Sequence, residues 1–251
     1  MEAKKIIITG GATRIGAAIA KSIVSHDTKI SIHFNKSRKN ALKLKKELEE
    51  LGSEVHLFKA DLNNFSKTHN LIKKAYKKMK GLDCLINNAS IFENDNLENF
   101  SEKLFAKHIN INLKAPAILT QNFKKFIKGK EGCIINIIDQ RVEKLTPFFF
   151  SYTLSKSSLA TLTKISAMKL APNIRVNGIS PGPTLKNKRQ SEKHFKKQWK
   201  SILLRKKVDL DNICNGVKFL IENKSITGEI INIDSGQRLA WRTPDIINTK
   251  E

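Results

Sequence analysis

The start of the chain carries the sequence feature that most restricts the fold. Residues 5–9 read KIIIT and run directly into GGATRIG and a helix with apolar periodicity over about 15–24. Strand, glycine-rich turn and helix in this order are typical of dinucleotide-binding domains, where the turn backbone lies close to a pyrophosphate at the helix N-terminus. Gly10 and Gly11 permit the tight turn, and Gly16 lets the helix pack closely on the strand. Because the strict G-x-G-x-x-G spacing is absent, a plain glycine turn remains the alternative.

Short apolar runs and helical segments alternate along the rest of the chain. Further strands are predicted at 29–34, 54–58, 82–86, 132–138, 174–179 and 229–233, and helices at 38–51, 66–79, 101–128, about 152–170 and 209–222. Strands separated by helices form a parallel sheet with right-handed crossovers. The sequence therefore predicts an α/β fold: a single-domain, Rossmann-like, doubly wound parallel sheet of about seven strands with helices on both faces. We assign 1–251 to this one domain, with 185–207 as a substrate lid and 242–251 as a C-terminal tail.

Polar and glycine-containing stretches follow most of the predicted strands. Ligands of such sheets bind at the carboxyl ends of the strands. The stretches that we expect to meet at this edge are Gly10, 35–38, Asp61, 87–92, Asp139 and 181–184.

The end of the second strand indicates which nicotinamide coenzyme is bound. An acidic residue at this point would bind the ribose diol of NAD, but none is present there. Lys36, Ser37 and Arg38 supply two cations and a hydroxyl instead, which suits a 2′-phosphate. The sequence therefore favours NADPH over NADH, unless these charges only begin the lysine-rich helix 38–51.

Tyr152 and Lys156 are four residues apart, so on a helix both side chains leave the same face. A free tyrosine has a pKa of about 10, and a nearby ammonium would lower it. Such a pair is a candidate acid for protonating a carbonyl or imine bond. The spacing also occurs by chance in lysine-rich helices.

The composition bears on the binding partners and the cellular compartment of the protein. The net charge of +23 could indicate nucleic acid, an anionic membrane or an acidic protein as partner, but the lysines are spread along helical segments such as 43–46, 73–80 and 193–207. We therefore expect a solvated basic surface and no dedicated nucleic-acid site. No stretch has the roughly 18 consecutive apolar residues of a membrane helix, and no signal-peptide pattern precedes the first strand. Three widely spaced cysteines fit a reducing compartment, and we expect a cytoplasmic protein without a metal site.

Taken together, the motifs resemble the short-chain dehydrogenase/reductase family over essentially the whole chain. They are TGGATRIG at 9–16, NNAS at 87–90, Asn112, Tyr152-x-x-x-Lys156 and the 181–182 Pro-Gly turn. The resemblance implies nicotinamide-dependent hydride transfer, with Tyr152 as the proton donor and Lys156 lowering its pKa and holding the nicotinamide ribose. It implies Asn112 as the support of a proton relay, and a homo-oligomer, tetramer or dimer. The NADP(H) contacts it implies are Gly10, Thr13, Arg14, Ile15, Gly16, Asn35, Lys36, Ser37, Asp61, Leu62, Asn88, Ala89, Ser90, Tyr152, Lys156, Pro181, Gly182 and Thr184.

Two departures from the common family pattern resemble the pteridine reductase branch, which includes dihydromonapterin reductases. Arg14 replaces the usual third glycine, and Asp139 replaces the usual serine thirteen residues before the tyrosine. A carboxylate suits a pterin because that ring presents N–H donors. Phe92 matches a phenylalanine that stacks on the pterin in that branch. The substrate contacts implied are Arg14, Ser90, Phe92, Asp139 and Tyr152, although Asp139 could be a turn cap, Arg14 a surface cation and Phe92 a core side chain.

Three functions compete at this point. The first is an NADPH-dependent reductase of a dihydropterin of the dihydromonapterin, dihydrobiopterin or dihydrofolate type. The second is a carbonyl reductase, such as one acting on a 3-oxoacyl group of an acidic carrier protein, for which the basic segment 186–207 is suited. The third is a non-catalytic NADPH- or RNA-binding regulator, supported by the net charge alone.

Overall fold

Seven parallel strands form one sheet at the centre of the molecule. A computed structural model describes residues 4–127, 129–187 and 189–241. The strands are β1 (Lys5–Ile8), β2 (Lys29–Phe34), β3 (Glu54–Lys59), β4 (Cys84–Asn87), β5 (Gly132–Ile137), β6 (Ile174–Pro181) and β7 (Ile230–Ile233). Their order across the sheet is β3-β2-β1-β4-β5-β6-β7. The order reverses between β1 and β4, so a crevice opens there at the carboxyl edge.

The helices cover both faces of the sheet. They are α1 (Arg14–Ser22), α2 (Arg38–Glu50), α3 (Phe65–Met79), α4 (Glu102–Ile109), α5 (Ala115–Ile127), α6 (Phe150–Leu170), α7 (Glu192–Lys200) and α8 (Leu210–Glu222). Short helical turns occupy Asn110–Lys114, Gln140–Val142 and Gln237–Leu239.

The first strand shows how the sequence produces two hydrophobic cores. Ile6 and Ile8 belong to the core under α1, α2 and α8, whereas Ile7 belongs to the core under α3 and α5. All three side chains are at most 1% exposed. Successive strand residues point to opposite faces, so a continuous isoleucine run serves a sheet that is covered on both sides.

The predicted doubly wound sheet of seven strands is confirmed, with three differences in the elements. The strand predicted at 82–86 begins at Cys84, and the carboxylate of Asp83 just before it accepts hydrogen bonds from the backbone N–H groups of Lys4 and Lys5 at the start of β1. The lysine-rich helical segment predicted at 193–207 is helical only over Glu192–Lys200, since the N–H of Ser201 closes the helix on earlier carbonyls.

The third difference lies in the helix predicted at 101–128. It is divided into α4, a π-helical turn over Asn110–Lys114, and α5. A π-turn of this kind inserts extra backbone into a helix and is frequent at functional sites. It brings the predicted site residue Asn112 into a fully buried position.

Across 4–127, 129–187 and 189–241, no helix combines the length and the apolar character needed to cross a bilayer. The predicted tail 242–251 lies outside the described residues.

Candidate active site

A cavity of about 880 Å³ lies at the carboxyl edge of the sheet. The predicted residues that line it are Gly10, Thr13, Arg14, Ile15, Gly16, Asn35, Asp61, Leu62, Asn88, Ala89, Ser90, Phe92, Asp139, Tyr152, Lys156, Pro181, Gly182 and Thr184. Lys36, Ser37 and Asn112 are absent from the lining. The strand ends therefore converge as expected, with three of the predicted residues set back from the cavity.

The glycine turn brings backbone close to the cavity. Gly10 has φ +60°, and a Cβ on Gly16 would lie 2.4 Å from the Gly10 carbonyl oxygen. The first turn of α1 contains no acidic residue, and the Thr13 side chain makes no capping hydrogen bond. The first N–H groups of a helix have no partner within the helix, so this end of α1 suits a phosphate group.

Arg14 has a left-handed backbone, with φ +54°. This conformation favours glycine, which explains why glycine is usual at the position. Its guanidinium donates to the carbonyl oxygens of Leu185 at 3.1 Å and Lys186 at 3.0 Å. These two bonds use two of the five N–H groups of the guanidinium, so the expected contacts of Arg14 with a coenzyme phosphate and the substrate do not require it to leave the segment that follows β6.

His33 joins the glycine turn to the neighbouring strand. The N–H of Gly10 donates to His33 Nδ1 at 3.1 Å, so Nε2 carries the proton and donates to the Ala60 carbonyl at 3.1 Å. Burial lowers the pKa of His33 from 6.5 to about 4. This histidine is therefore neutral near pH 7, and its two hydrogen bonds hold the glycine turn at a fixed distance from Ala60.

Asn88 and Thr9 connect the ends of β1 and β4. Asn88 Nδ2 donates to the carbonyls of Thr9 and Gly10, at 2.9 and 3.0 Å. The Thr9 hydroxyl accepts the N–H groups of Asn88 and Ala89, both at 3.0 Å. These bonds fix the crevice where the strand order reverses.

Asp139 is shared between a turn and the candidate proton donor. Its Oδ1 accepts the N–H of Arg141 at 2.9 Å, which caps the short turn Gln140–Val142. Its Oδ2 accepts the hydroxyl of Tyr152 at 2.7 Å. Both interpretations of this carboxylate, as a turn cap and as a partner of the tyrosine, therefore hold in the same side chain.

The expected lowering of the Tyr152 pKa by Lys156 is wrong for this structure. Burial, followed by the charge and the hydrogen bond of Asp139, raises the pKa of Tyr152 well above its usual value. Burial lowers the pKa of Lys156 from 10.5 to about 8. Lys156 Nζ donates to the Ile137 carbonyl at 2.7 Å, and it lies 5.9 Å from the centroid of the Tyr152 ring. Burial and the Asp139 carboxylate therefore keep the phenol protonated, and Tyr152 is held as a protonated donor.

Asn112 supports the wall of the cavity from behind. Its Oδ1 accepts from the Ser90 hydroxyl at 3.1 Å and from the Ile91 N–H at 2.9 Å. Its Nδ2 donates to the Ile91 carbonyl at 3.1 Å and to the Ser155 hydroxyl at 3.0 Å. The buried amide thus joins the loop after β4 to the helix that carries Tyr152.

Phe92 contributes an aromatic wall to the cavity. Its neighbours Phe149, Arg141 and Arg189 were not predicted from the sequence as site residues. The Phe92 ring packs edge-on against Tyr152 at 4.6 Å and stacks on Phe149 at 4.4 Å. The guanidinium groups of Arg141 and Arg189 lie within 6 Å of both phenylalanine rings. The FFF run at 148–150 beside Tyr152 was a usable signal for Phe149, whereas nothing local marked Arg189.

The residues predicted to bind a 2′-phosphate follow β2, and one of them reaches the cavity. Asn35 lines it, and Asn35 Nδ2 donates to Asp61 Oδ1 at 3.4 Å. Lys36 and Arg38 are exposed where α2 begins. The two cations are therefore exposed to solvent, and they follow Asn35, which lines the cavity, by one and three residues.

This fold, with its cavity at the reversal of strand order, defines a dinucleotide-dependent enzyme class. A sequence model of the short chain dehydrogenases matches residues 4–198. The chain belongs to the short-chain dehydrogenase family.

Solved and curated relatives extend this comparison. The crystal structure of FolM alternative dihydrofolate reductase 1 from Brucella suis, in complex with NADP, superposes with a TM-score of 0.93 and 40% identity, covering 97% of this chain and 98% of that chain. The 3-oxoacyl-[acyl-carrier-protein] reductase FabG of Thermotoga maritima is 29% identical and covers 94% of this chain and 98% of its own length. The dihydromonapterin reductase of Enterobacter sp. (strain 638) is 24% identical, covering 94% and 97% respectively.

Proposed function

We propose that this protein is an NADPH-dependent reductase that transfers hydride to a dihydropterin ring of the dihydromonapterin, dihydrobiopterin or dihydrofolate type. The observation that carries the proposal is the hydrogen bond of 2.7 Å from the Tyr152 hydroxyl to Asp139, beside the Phe92 ring. A carbonyl substrate needs a donor at this position, whereas the N–H groups of a pterin need an acceptor. The similarity to the FolM structures supports the same substrate class.

The residues of the chain bind and orient the reactants in this proposal. The bound nicotinamide supplies the hydride. The glycine turn and the start of α1 hold phosphate groups, Lys36 and Arg38 neutralise the 2′-phosphate, and the Ser37 hydroxyl donates a hydrogen bond to it. Phe92 provides a flat apolar face for the pterin ring, Asp139 accepts its N–H groups, and Tyr152 holds a proton for the reduced bond.

The segment 185–207 serves as the lid over the substrate in this proposal. Two features support that assignment. Its first residues line the cavity, and their carbonyls are held by Arg14. The assembly is proposed to be a cytoplasmic homo-oligomer, which is consistent with the exposure of Leu154, Ile165 and Met168 on α6.

A carbonyl reductase acting on a 3-oxoacyl carrier is the second candidate. The FabG relative favours it, as do the exposed cations of α7, which begins at Glu192 and includes Lys193, Lys196 and Lys197. Asp139 opposes it, because a carboxylate cannot donate a hydrogen bond to a ketone oxygen when ionised.

The first experiment measures NADPH oxidation by the purified protein with dihydrobiopterin, dihydromonapterin, dihydrofolate and a 3-oxoacyl thioester. Turnover with at least one dihydropterin is expected, with little turnover of the thioester. Turnover of the thioester alone would establish the second candidate instead.

Asp139→Ser separates the two candidates. Loss of a charge-assisted hydrogen bond should lower kcat/KM for the dihydropterin by about ten- to a hundredfold. Asp139→Asn is the matched control, because its amide oxygen can still accept the Arg141 N–H while the charge is lost and the second acceptor becomes an N–H donor. An Asp139→Ser enzyme with undiminished dihydropterin turnover would contradict the proposed role of the carboxylate.

A further inference from the structure

Two arginines flank the aromatic wall at the mouth of the cavity. The guanidinium carbon of Arg141 lies 4.6 Å from the centroid of Phe149 and 5.8 Å from that of Phe92. That of Arg189 lies 5.2 Å from Phe92 and 5.8 Å from Phe149. All four residues line the same cavity as Asp139 and Tyr152.

The two guanidinium groups differ in how far their charge is compensated. Arg189 donates to Glu93 Oε2 at 2.8 Å and to the Phe92 carbonyl at 2.6 Å. Among the residues that the structure describes, the Arg141 guanidinium donates only to the Thr146 hydroxyl at 3.3 Å, and no carboxylate lies within 4.0 Å of it. An excess of positive charge therefore remains at Arg141, and a planar guanidinium is suited to bind a carboxylate with two hydrogen bonds.

Phe92 connects this basic pair to the reactive end of the cavity. The Phe92 ring contacts Tyr152 edge-on, with 4.6 Å between the ring centroids. It also stacks on Phe149, with 4.4 Å between the centroids. A ring bound beside Tyr152 would therefore direct its substituent along the two phenylalanines toward the arginines. An aryl group suits the phenylalanine faces, and an acidic group beyond it suits the cations.

We infer that Arg141 and Arg189 form a subsite for an acidic aryl side chain, so that the enzyme selects a pterin with an aminobenzoyl-glutamate tail over one with a neutral polyol chain. This inference rests on the proposed dihydropterin reductase function and specifies its substrate. Phe92 and Phe149 contact the aryl ring, and Arg141 binds a carboxylate. Arg189 contributes less, because Glu93 compensates its charge.

The test compares kcat/KM for dihydrofolate with kcat/KM for dihydrobiopterin, whose side chain is neutral. The ratio of the two should fall by about five- to tenfold in Arg141→Gln, as expected for one partly exposed charge pair, and by less in Arg189→Gln. Raising the salt concentration should lower the ratio in the wild type and have little effect in Arg141→Gln, because salt screens the attraction. Equilibrium binding of folic acid and of biopterin, with NADP⁺ present, should show the same change in selectivity.

Lys74→Gln is the matched control, since it removes one exposed positive charge from α3 without touching the cavity. Its substrate ratio should equal that of the wild type. An unchanged ratio in both arginine variants, with dihydropterin turnover intact, would overturn the subsite and leave the proposed function standing. A protein that reduces neither pterin would refute the proposed function itself.

Discussion

At the residue scale, burial of the ring and the carboxylate of Asp139 determine the state of Tyr152. The hydrogen bond from the Tyr152 hydroxyl to the carboxylate and the burial of the ring both keep the phenol protonated. Lys156 is directed instead to the Ile137 carbonyl at the end of β5. Its ammonium is therefore better placed to bind a hydroxyl or an anion in the cavity than to stabilise a phenolate at Tyr152.

The lowered pKa of Lys156 leads to a prediction for coenzyme binding. Because the pKa is about 8, the ammonium is present below that pH and is lost as the pH rises through it. We expect the affinity for NADPH to fall as the pH rises through about 8, measured by fluorescence titration of the free enzyme. Lys156→Gln should bind more weakly and without this transition. A wild-type affinity that stays constant up to pH 9.5 would show that the charge of Lys156 does not contribute.

At the element scale, Asp95 fixes the start of α6. Its carboxylate accepts the N–H of Ser151 at 3.1 Å and also the Ser151 hydroxyl, and its own carbonyl accepts the N–H of Phe150 at 3.2 Å. Asp95 is only 3% exposed. Tyr152 directly follows Ser151, so the position of the tyrosine depends on a carboxylate in the loop after β4. The negative charge of Asp95 also stabilises α6, because it lies at the N-terminus of the helix.

Asp95→Ala should therefore weaken both the fold and the site. Leaving the buried donors of Ser151 without a partner should cost about 1–3 kcal/mol of unfolding free energy, measured by urea denaturation. The kcat should fall together with stability, because the hydroxyl of Tyr152 loses its fixed position. Asp95→Asn keeps an acceptor and should retain more of both. A fully stable Asp95→Ala protein would show that the contact is not needed to anchor α6.

At the scale of the whole molecule, the burial of neutral His33 makes stability depend on pH. The pKa is about 4 in the folded chain and 6.5 for an ordinary histidine. A lowered pKa means that the unfolded chain binds the proton first, so this contribution to stability is complete above pH 6.5 and is lost as the pH falls toward 4.

The expected loss between these two values is about 3 kcal/mol, from 1.36 kcal/mol for each unit of pKa difference. It can be measured as the unfolding free energy of the wild type and of His33→Gln over pH 4–7. The pH dependence should be shallower in the variant, since carboxylates and other histidines contribute equally to both proteins. Parallel curves would mean that His33 becomes protonated without unfolding the glycine turn.

Whether a feature could be predicted from the sequence depends on whether it is formed by residues that are close together in the chain. Isoleucine runs, the glycine turn and the strand-end polar residues were sufficient for the sheet and for most of the cavity lining, because each arises from a few neighbouring residues. The π-turn at Asn112 was not predictable, since it follows from four hydrogen bonds to Ser90, Ile91 and Ser155, which are distant in sequence. The raised pKa of Tyr152 likewise depends on how deeply the ring is buried, which its spacing from Lys156 does not show.

One side chain bridges two parts of the cavity that are far apart in the sequence. Arg14 belongs to the phosphate-binding turn, yet both of its terminal nitrogens hold the backbone at Leu185 and Lys186, 171 and 172 residues away in sequence. The turn at the start of α1 and the first residues after β6 are therefore tied together by one guanidinium. If the segment after β6 covers the substrate as proposed, its position is coupled through Arg14 to the end of α1 that is proposed to hold the coenzyme phosphates.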